Sequence, residues 1–149
     1  MPKFLQILLP LLVSLITGFL SFTAAFALYM YVYIKMYGYF SIEIFFGSNK
    51  LENPVIWASI LGALIGIAMG FFIGLILSVF EFQTSGVVLI ISSLLPFAFF
   101  FFVYAFMGGG GSAKDSSEII KLLLISLIPS LVTGLIVSKF ISHLRSPIR

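Results

Sequence analysis

The side chains that could carry acid–base, redox or metal chemistry are few and far apart. His143 is the only histidine, and it lies between the basic residues Lys139 and Arg145. Metal and haem ligands normally occur in clusters, and the sequence shows none around His143. Glu81 is the nearest acidic candidate, at a position where a loop is expected. Acid–base chemistry inside a membrane needs a titratable group at depth, so we expect no enzyme activity, no catalytic residue, no metal site and no cofactor.

A stripe of small residues has the most specific spacing in the sequence. Residues four apart lie on one face of a helix, so such a stripe forms a groove that another backbone can approach closely. We expect a helix-packing site of the glycine-zipper kind. Its partner is either another helix of this chain or a helix of another subunit, and a pore lining is disfavoured because nothing polar accompanies the glycines. The stripe comprises Ala58, Gly62, Gly66, Gly70, Gly74 and Ser78.

Hydroxyl groups recur inside the apolar stretches. In apolar helices, serine and threonine more often hydrogen-bond to a neighbouring helix than bind a ligand. We therefore interpret them as helix contacts and not as ligand groups. They belong to Ser14, Thr17, Ser21, Thr23, Ser59, Ser92, Ser93, Ser126, Ser130 and Thr133.

Aromatic rings surround one predicted helix, because residues 97–106 contain six phenylalanines and Tyr104. Such a helix could pack against a flat apolar molecule such as a quinone, a carotenoid or a chlorophyll. Phenylalanine is also an ordinary lipid-facing residue, and that interpretation is favoured.

The composition excludes a soluble domain. Of the 149 residues, 61% are hydrophobic and 9% charged, against about 45–50% and about 25% in soluble domains, and the mean hydropathy is +1.24. The 8 Lys and Arg and 5 Asp and Glu are too scattered to form a phosphate-binding stripe, so no nucleic-acid partner is expected. The absence of cysteine excludes disulfides, thiolate metal sites and a cysteine nucleophile.

Charged residues divide the sequence into four uncharged stretches, at residues 4–34, 53–80, 82–113 and 122–138. Each holds the roughly 17–25 residues that a helix needs to cross a bilayer, where the backbone must satisfy its own hydrogen bonds. We predict an all-α, polytopic integral membrane protein whose single transmembrane domain covers residues 1–149. Its four helices are expected at about residues 11–34, 55–80, 86–107 and 116–142.

The first stretch is longer than the hydrocarbon core. Pro10 is typical of a first helical turn, so residues 1–9 are expected to form an interfacial lead-in. A signal peptide is the competing interpretation, because Lys3 precedes the stretch and Ala25 and Ala27 have small-x-small spacing. The stretch runs far past the apolar region of about 7–15 residues in a signal peptide, so this interpretation is rejected.

The connections carry their own signals. The tyrosines and Lys35 at residues 29–39 suit the headgroup layer, and residues 40–53 mix apolar and charged side chains as an interfacial segment does. The short connection at residues 81–85 predicts that the second and third helices are antiparallel neighbours. The GGGGS run at residues 108–112 is either natural or an engineered fusion scar, and natural origin is favoured.

Proline and capping residues mark positions within the last two helices. Pro96 removes a backbone donor and frees a carbonyl near Ser92, and Pro129 lies in the middle of the fourth helix, so kinks are expected at both prolines. Asp115 and Glu118 have the spacing of a capping box for the fourth helix.

Orientation and internal similarity are weakly marked. Four spans place both termini on one side, with four basic residues on each side, and the N-terminal amine and the compact basic group at residues 139–149 favour cytoplasmic termini. Residues 14–20 (SLITGFL) and 130–136 (SLVTGLI) match closely. A duplicated two-helix unit would instead relate the first helix to the third, so chance similarity is favoured over a repeat.

These observations predict a non-catalytic integral membrane subunit that packs within a larger membrane protein complex. Its expected partners are the lipid bilayer and other membrane subunits, with a hetero-oligomer favoured over a homo-oligomer. The alternative is a small homo-oligomeric channel or transporter, in which proline-kinked helices present backbone carbonyls to a cavity.

Overall fold

The computed structural model describes residues 2–37, 54–80, 85–106 and 113–145, which form four α-helices with one residue preceding the first. The helices are α1 (Lys3–Tyr37), α2 (Pro54–Phe80), α3 (Ser85–Phe106) and α4 (Ala113–Arg145). All four are long and apolar enough to cross a membrane, so the predicted all-α fold with four such helices is confirmed. The predicted interfacial segment at residues 40–53 and the GGGGS run at residues 108–112 lie outside the described residues.

The start of α1 differs from the prediction. The helix begins at Lys3 and not at Leu11, and Pro10 lies inside it and not in its first turn. The carbonyl of Pro2 accepts hydrogen bonds from the amides of Leu5 and Gln6, at 3.0 and 3.3 Å, and this contact closes the first turn. The ring of Pro10 is fully buried, so its packing contacts compensate for the backbone hydrogen bond that the proline cannot donate.

The other helices begin and end within three residues of their expected bounds. α2 begins at Pro54, where the fixed φ of proline suits the first helical turn. α3 and α4 each continue through their internal prolines, Pro96 and Pro129. α4 begins at Ala113, so Asp115 lies inside its first turn and is not the residue that precedes the helix, contrary to the capping-box expectation.

Packing between the helices is uneven. α1 makes its most extensive contact with α2, and α4 packs against both α1 and α3. α2 and α3 share the smallest contact of the substantially packed pairs, although their short connection predicted close neighbours. A short connection limits the distance between two helix ends, but the side chains along the helices decide whether the helices pack closely.

Buried side chains form two clusters along the bundle. One joins all four helices around Phe22, Met69, Phe100 and Leu122, and the other lies around Ile73 and the neighbouring buried residues of α2, α3 and α4. Large apolar side chains are exposed on every helix. Extended apolar surfaces of this kind are unusual for a soluble monomer and are compatible with a multi-pass membrane protein.

Candidate functional site: the small-residue helix interfaces

The glycines of the small-residue stripe lie against the backbone of α1. A Cβ atom added at Gly66 would overlap the backbone oxygen of Gly18, and one added at Gly70 would overlap that of Ser14. The two backbones therefore touch directly, without side chains between them. Close approach of this kind yields dispersion contacts, which drive helix association where lipid supplies no hydrophobic force.

The contact extends along α2 in both directions from this point. A Cβ added at Gly62 would lie 2.6 Å from the backbone oxygen of Phe22, and one added at Gly74 would lie 2.8 Å from Cβ of Ser14. Both distances are shorter than real Cβ atoms tolerate. The four glycines thus contact α1 of the same chain, which is the first of the two partners considered from the sequence.

The two ends of the stripe are also buried. Ala58 is 2% exposed and belongs to the larger cluster, and Ser78 is 3% exposed. The hydroxyl oxygen of Ser78 has no hydrogen-bond partner among the described residues. All six members of the stripe therefore lie inside the bundle.

α1 contributes a matching small-residue face that the sequence analysis did not single out. Gly18 lies opposite Gly66 and Gly70, where an added Cβ would overlap the backbone oxygen of Gly66. Ser14, one turn earlier, donates a hydrogen bond from its hydroxyl to the carbonyl of Gly70 at 2.6 Å. A glycine and a serine on α1 thus meet two glycines on α2, combining close backbone contact with a buried interhelical hydrogen bond.

The interface between α3 and α4 has the same two components. The hydroxyl of Ser130 donates to the carbonyl of Ser92 at 2.5 Å, and a Cβ added at Gly134 would overlap the side chain of Ser92. Ser92 itself is fully buried, and its own hydroxyl has no partner in the described part of the chain. The sequence predicted an unpaired carbonyl near Ser92, but it did not identify Ser130 as its donor.

A third polar contact joins α1 to α4. The hydroxyls of Ser21 and Thr133 lie 3.1 Å apart, and either can be the donor. Thr133 also donates to the carbonyl of Pro129 at 2.8 Å within its own helix, and Ser21 approaches the same carbonyl at 3.5 Å. Hydroxyl groups therefore link three of the helix pairs, as expected for serine and threonine in apolar helices.

The aromatic helix α3 has one buried ring and several outward-facing rings. Phe100 is 1% exposed and packs edge-on against Phe99, with the ring centroids 5.3 Å apart. Phe101 is 71% exposed and Phe106 is 90% exposed. Most of the predicted rings around the helix therefore face outward, but Phe100 faces the core of the bundle.

Two lateral grooves of about 630 Å³ each open on the surface of the bundle. The α3–α4 groove is lined by Phe97, Phe101 and Tyr104 of α3 and by Ile120 and Leu123 of α4, among others. The α1–α4 groove lies on the other side of α4, and its lining includes Leu28 and Val32 of α1 and Leu124 and Ile128 of α4. Both linings are almost entirely apolar.

The candidate titratable residues do not converge. His143 is exposed near the end of α4, and Glu118 is half-buried near its start. Among residues 2–37, 54–80, 85–106 and 113–145, no group of three or more His, Cys, Asp or Glu side chains comes together. Glu81 lies outside the described residues. In the described parts of the chain, the buried polar contacts therefore join helices to one another and do not form a cluster of titratable side chains.

Comparison of the chain with protein-family models, with curated proteins and with solved structures finds no match in any of the three.

Proposed function

We propose that this chain is a multi-pass integral membrane protein with both termini in the cytoplasm, and that it serves as a non-catalytic subunit of a larger membrane protein complex. Its four helices are long and apolar enough to cross a bilayer, which supports the location. Its small-residue stripes pack against helices of the same chain. This supports a folded four-helix unit that binds other subunits through its outer surface.

One face of α3 carries the proposal. Large apolar side chains at intervals of four, three and four residues form an exposed stripe on this helix, which we call the α3 face. This interval pattern matches the seam positions at which helices interlock side chains with a partner helix. The α3 face comprises Ile90, Leu94, Phe97 and Phe101, which are 49–71% exposed.

The aromatic part of the α3 face favours a protein partner. Aromatic residues, phenylalanine among them, are enriched at protein interfaces relative to the rest of the protein surface. Phe97 and Phe101 lie one turn apart, so both rings can enter the grooves of one neighbouring helix. A helix of another membrane subunit is therefore the partner we assign to this face.

The experiment is purification of the tagged chain from its native membrane in mild detergent, followed by native gel electrophoresis. The proposal expects a stable, stoichiometric set of other subunits, and it expects Phe101→Ala to release them. Leu64→Ala is the control, because Leu64 is 62% exposed on α2 and does not belong to the α3 face. A chain that migrates without other subunits would contradict the proposal.

A small homo-oligomeric channel or transporter is the second candidate. Two buried hydroxyls favour it, because the hydroxyl oxygens of Ser78 and Ser92 have no hydrogen-bond partner among the described residues. Unpaired polar groups inside an apolar bundle are costly and often mark a functional position. A closed homo-oligomer on the native gel, together with solute flux into liposomes, would favour this candidate over the subunit role.

A further inference from the structure

The α1–α4 groove differs from the α3–α4 groove at one end. Its walls are formed by the two stripes Ala24, Leu28 and Val32 on α1 and Leu124, Ile125 and Ile128 on α4. The hydrogen bonds between Ser21 and α4 show that the two helices run antiparallel here, because positions further along α1 face positions earlier on α4. The end of the groove beside Val32 is therefore also the end beside Leu124.

A lysine continues each wall beyond this end. Lys35 follows Val32 by three residues and Leu28 by seven, and Lys121 precedes Leu124 by three and Ile128 by seven. Residues at these intervals share a helix face, so the helical register puts both lysines at the same end of the groove. Both side chains are exposed, and Nζ of Lys35 lies 5.6 Å from the ring centroid of Tyr31.

One acidic residue shares this face of α4. Glu118 precedes Lys121 by three residues and Ile125 by seven, and its side chain is half-buried, whereas both lysines are exposed. The α3–α4 groove lacks the pair of cations, because no described lysine lies three, four or seven residues from the residues that line it. Among the described lysines, a pair at these intervals is therefore found at the α1–α4 groove and not at the α3–α4 groove.

The shape and lining of the α1–α4 groove suit an acyl chain. From Ala24 to Val32 the groove spans eight residues of α1, about 12 Å at 1.5 Å per residue, and its lining is almost entirely apolar. An extended hydrocarbon chain can lie along such a groove, with a phosphate at the end where the two lysines lie.

We propose that the α1–α4 groove binds one anionic phospholipid, with an acyl chain along the groove and the phosphate between Lys35 and Lys121. The inference rests on the proposed insertion in a membrane but neither on the proposed orientation nor on the proposed protein partner. It can therefore fail while other subunits still co-purify, and it can hold for a chain that has no subunit partner.

The test is native mass spectrometry of the purified full-length chain in detergent. Phosphatidylglycerol and phosphatidylcholine with identical acyl chains are added in turn, and the affinity of the first bound lipid is measured. We expect preference for phosphatidylglycerol, an affinity loss of about fivefold in Lys35→Gln or Lys121→Gln, and a loss of about 25-fold in the double variant. Arginine at either position should retain the preference.

Lys139→Gln is the matched charge control, because Lys139 is exposed on α4 near the opposite end of that helix. It should leave the preference unchanged. Ala24→Phe tests the groove itself, because Ala24 is an outward-facing lining residue and a larger ring would fill the space. This variant should weaken both lipids, and glycerol phosphate, which has no acyl chain, should not displace phosphatidylglycerol at equal concentration.

Several results would overturn the proposal. Equal affinity of the wild-type chain for the two lipids would show general contact with acyl chains only. Unchanged preference in the double lysine variant, or an equal loss in Lys139→Gln, would remove the headgroup site. Unchanged binding in Ala24→Phe, or displacement by glycerol phosphate, would remove the groove.

Discussion

The hydroxyl of Ser130 donates a hydrogen bond to the backbone carbonyl of Ser92, with 2.5 Å between the two oxygens. In a regular helix this carbonyl would accept the amide of residue 96, which is a proline and has no N–H. A buried carbonyl without a partner costs about 1–3 kcal/mol. α4 therefore supplies the donor that α3 lacks, and the position of the proline fixes where along α3 the serine must lie.

The first prediction is that Ser130→Ala lowers the free energy of unfolding by about 1 kcal/mol or more, because it leaves the buried carbonyl of Ser92 without a donor. Interhelical hydrogen bonds in a membrane protein average about 0.6 kcal/mol, with a maximum of about 1.7 kcal/mol. The measurement is SDS titration of the purified chain in mixed micelles. Ser93→Ala is the control, because the hydroxyl of Ser93 donates to the carbonyl of Ile90 in its own helix. This control should change the value by less than about 0.5 kcal/mol.

A double-mutant cycle isolates the role of the proline. Pro96→Ala restores an amide that can bond to the carbonyl of Ser92, so Ser130→Ala should cost less in that background. We expect a coupling energy of about 0.5 kcal/mol or more. Equal costs of Ser130→Ala in the two backgrounds would show that the serine does not compensate for the proline.

The second prediction compares two glycine-to-alanine changes. Gly66→Ala places a methyl group against the backbone of Gly18, which cannot move aside as a flexible side chain can, and should destabilise the chain by about 1–3 kcal/mol. Gly86→Ala is the matched control, because a Cβ there has no atom within 4 Å. It should be neutral or up to about 1 kcal/mol more stable, since alanine favours helix.

Larger side chains at the same face should separate α1 from α2. We expect Gly66→Leu or Gly70→Leu to abolish the folded chain, as judged by gel filtration and far-UV circular dichroism, whereas Leu64→Ile changes little because Leu64 is exposed. Ile73 lies in the core at 0% exposure, so an exchange at that position would not be a neutral control. A folded, monodisperse Gly66→Leu chain would contradict the close helix contact.

The sequence predicted a close-packing face on α2 but did not identify its partner. A spacing of four residues is local information, and it shows that Gly62, Gly66 and Gly70 share a face. The partner residues Ser14 and Gly18 lie about fifty residues away, and α1 has only one glycine among its 35 residues. The stripe packs against α1 of the same chain, and this choice over a helix of another subunit depends on tertiary packing that the local spacing does not contain.

The similar segments at residues 14–20 and 130–136 make equivalent helix contacts, although the sequence analysis favours chance similarity. Ser14 donates to a carbonyl of α2, and Ser130 donates to a carbonyl of α3. Gly18 and Gly134, four residues after each serine, are the positions of close approach to the same two helices. The segments share a packing role, which selects the same residues at the same spacing whether or not they share an origin.

The start of α1 was wrong for a physical reason. From the sequence, Pro10 is expected in a first turn, because the missing backbone donor of proline costs nothing there. The ring is instead buried within α1, and the first turn forms around Pro2, whose carbonyl accepts the amides of Leu5 and Gln6. Either Pro2 or Pro10 could mark the first turn of α1 from the sequence alone. Which one does so depends on the burial of Pro10 against other helices, and the local sequence does not reveal these neighbours.

The third prediction concerns orientation. A cysteine placed at Ser112 should react with a membrane-impermeant maleimide added outside intact cells, and one placed at Ser146 should react only after the membrane is opened. The chain has no native cysteine, so each variant reports one position. A slight excess of positive charge at the termini favours the cytoplasmic side for both of them. The reverse labelling pattern would place the termini outside the cytoplasm.

The last prediction concerns catalysis. His143 is exposed near the end of α4, outside the buried clusters, and Glu81 is the remaining acidic candidate beside an apolar stretch. A general acid or base contributes about 10²–10⁴-fold to a reaction rate, because it must reach the reacting atom and hold a matched pKa. We therefore expect His143→Ala and Glu81→Gln, made singly, to leave the activity of any complex that contains this chain within about threefold of wild type. The measurement is the turnover of the purified complex, with subunit content checked on the same native gel. A loss of a hundredfold in His143→Ala with all subunits retained would assign that imidazole to the chemistry and would reject the non-catalytic role.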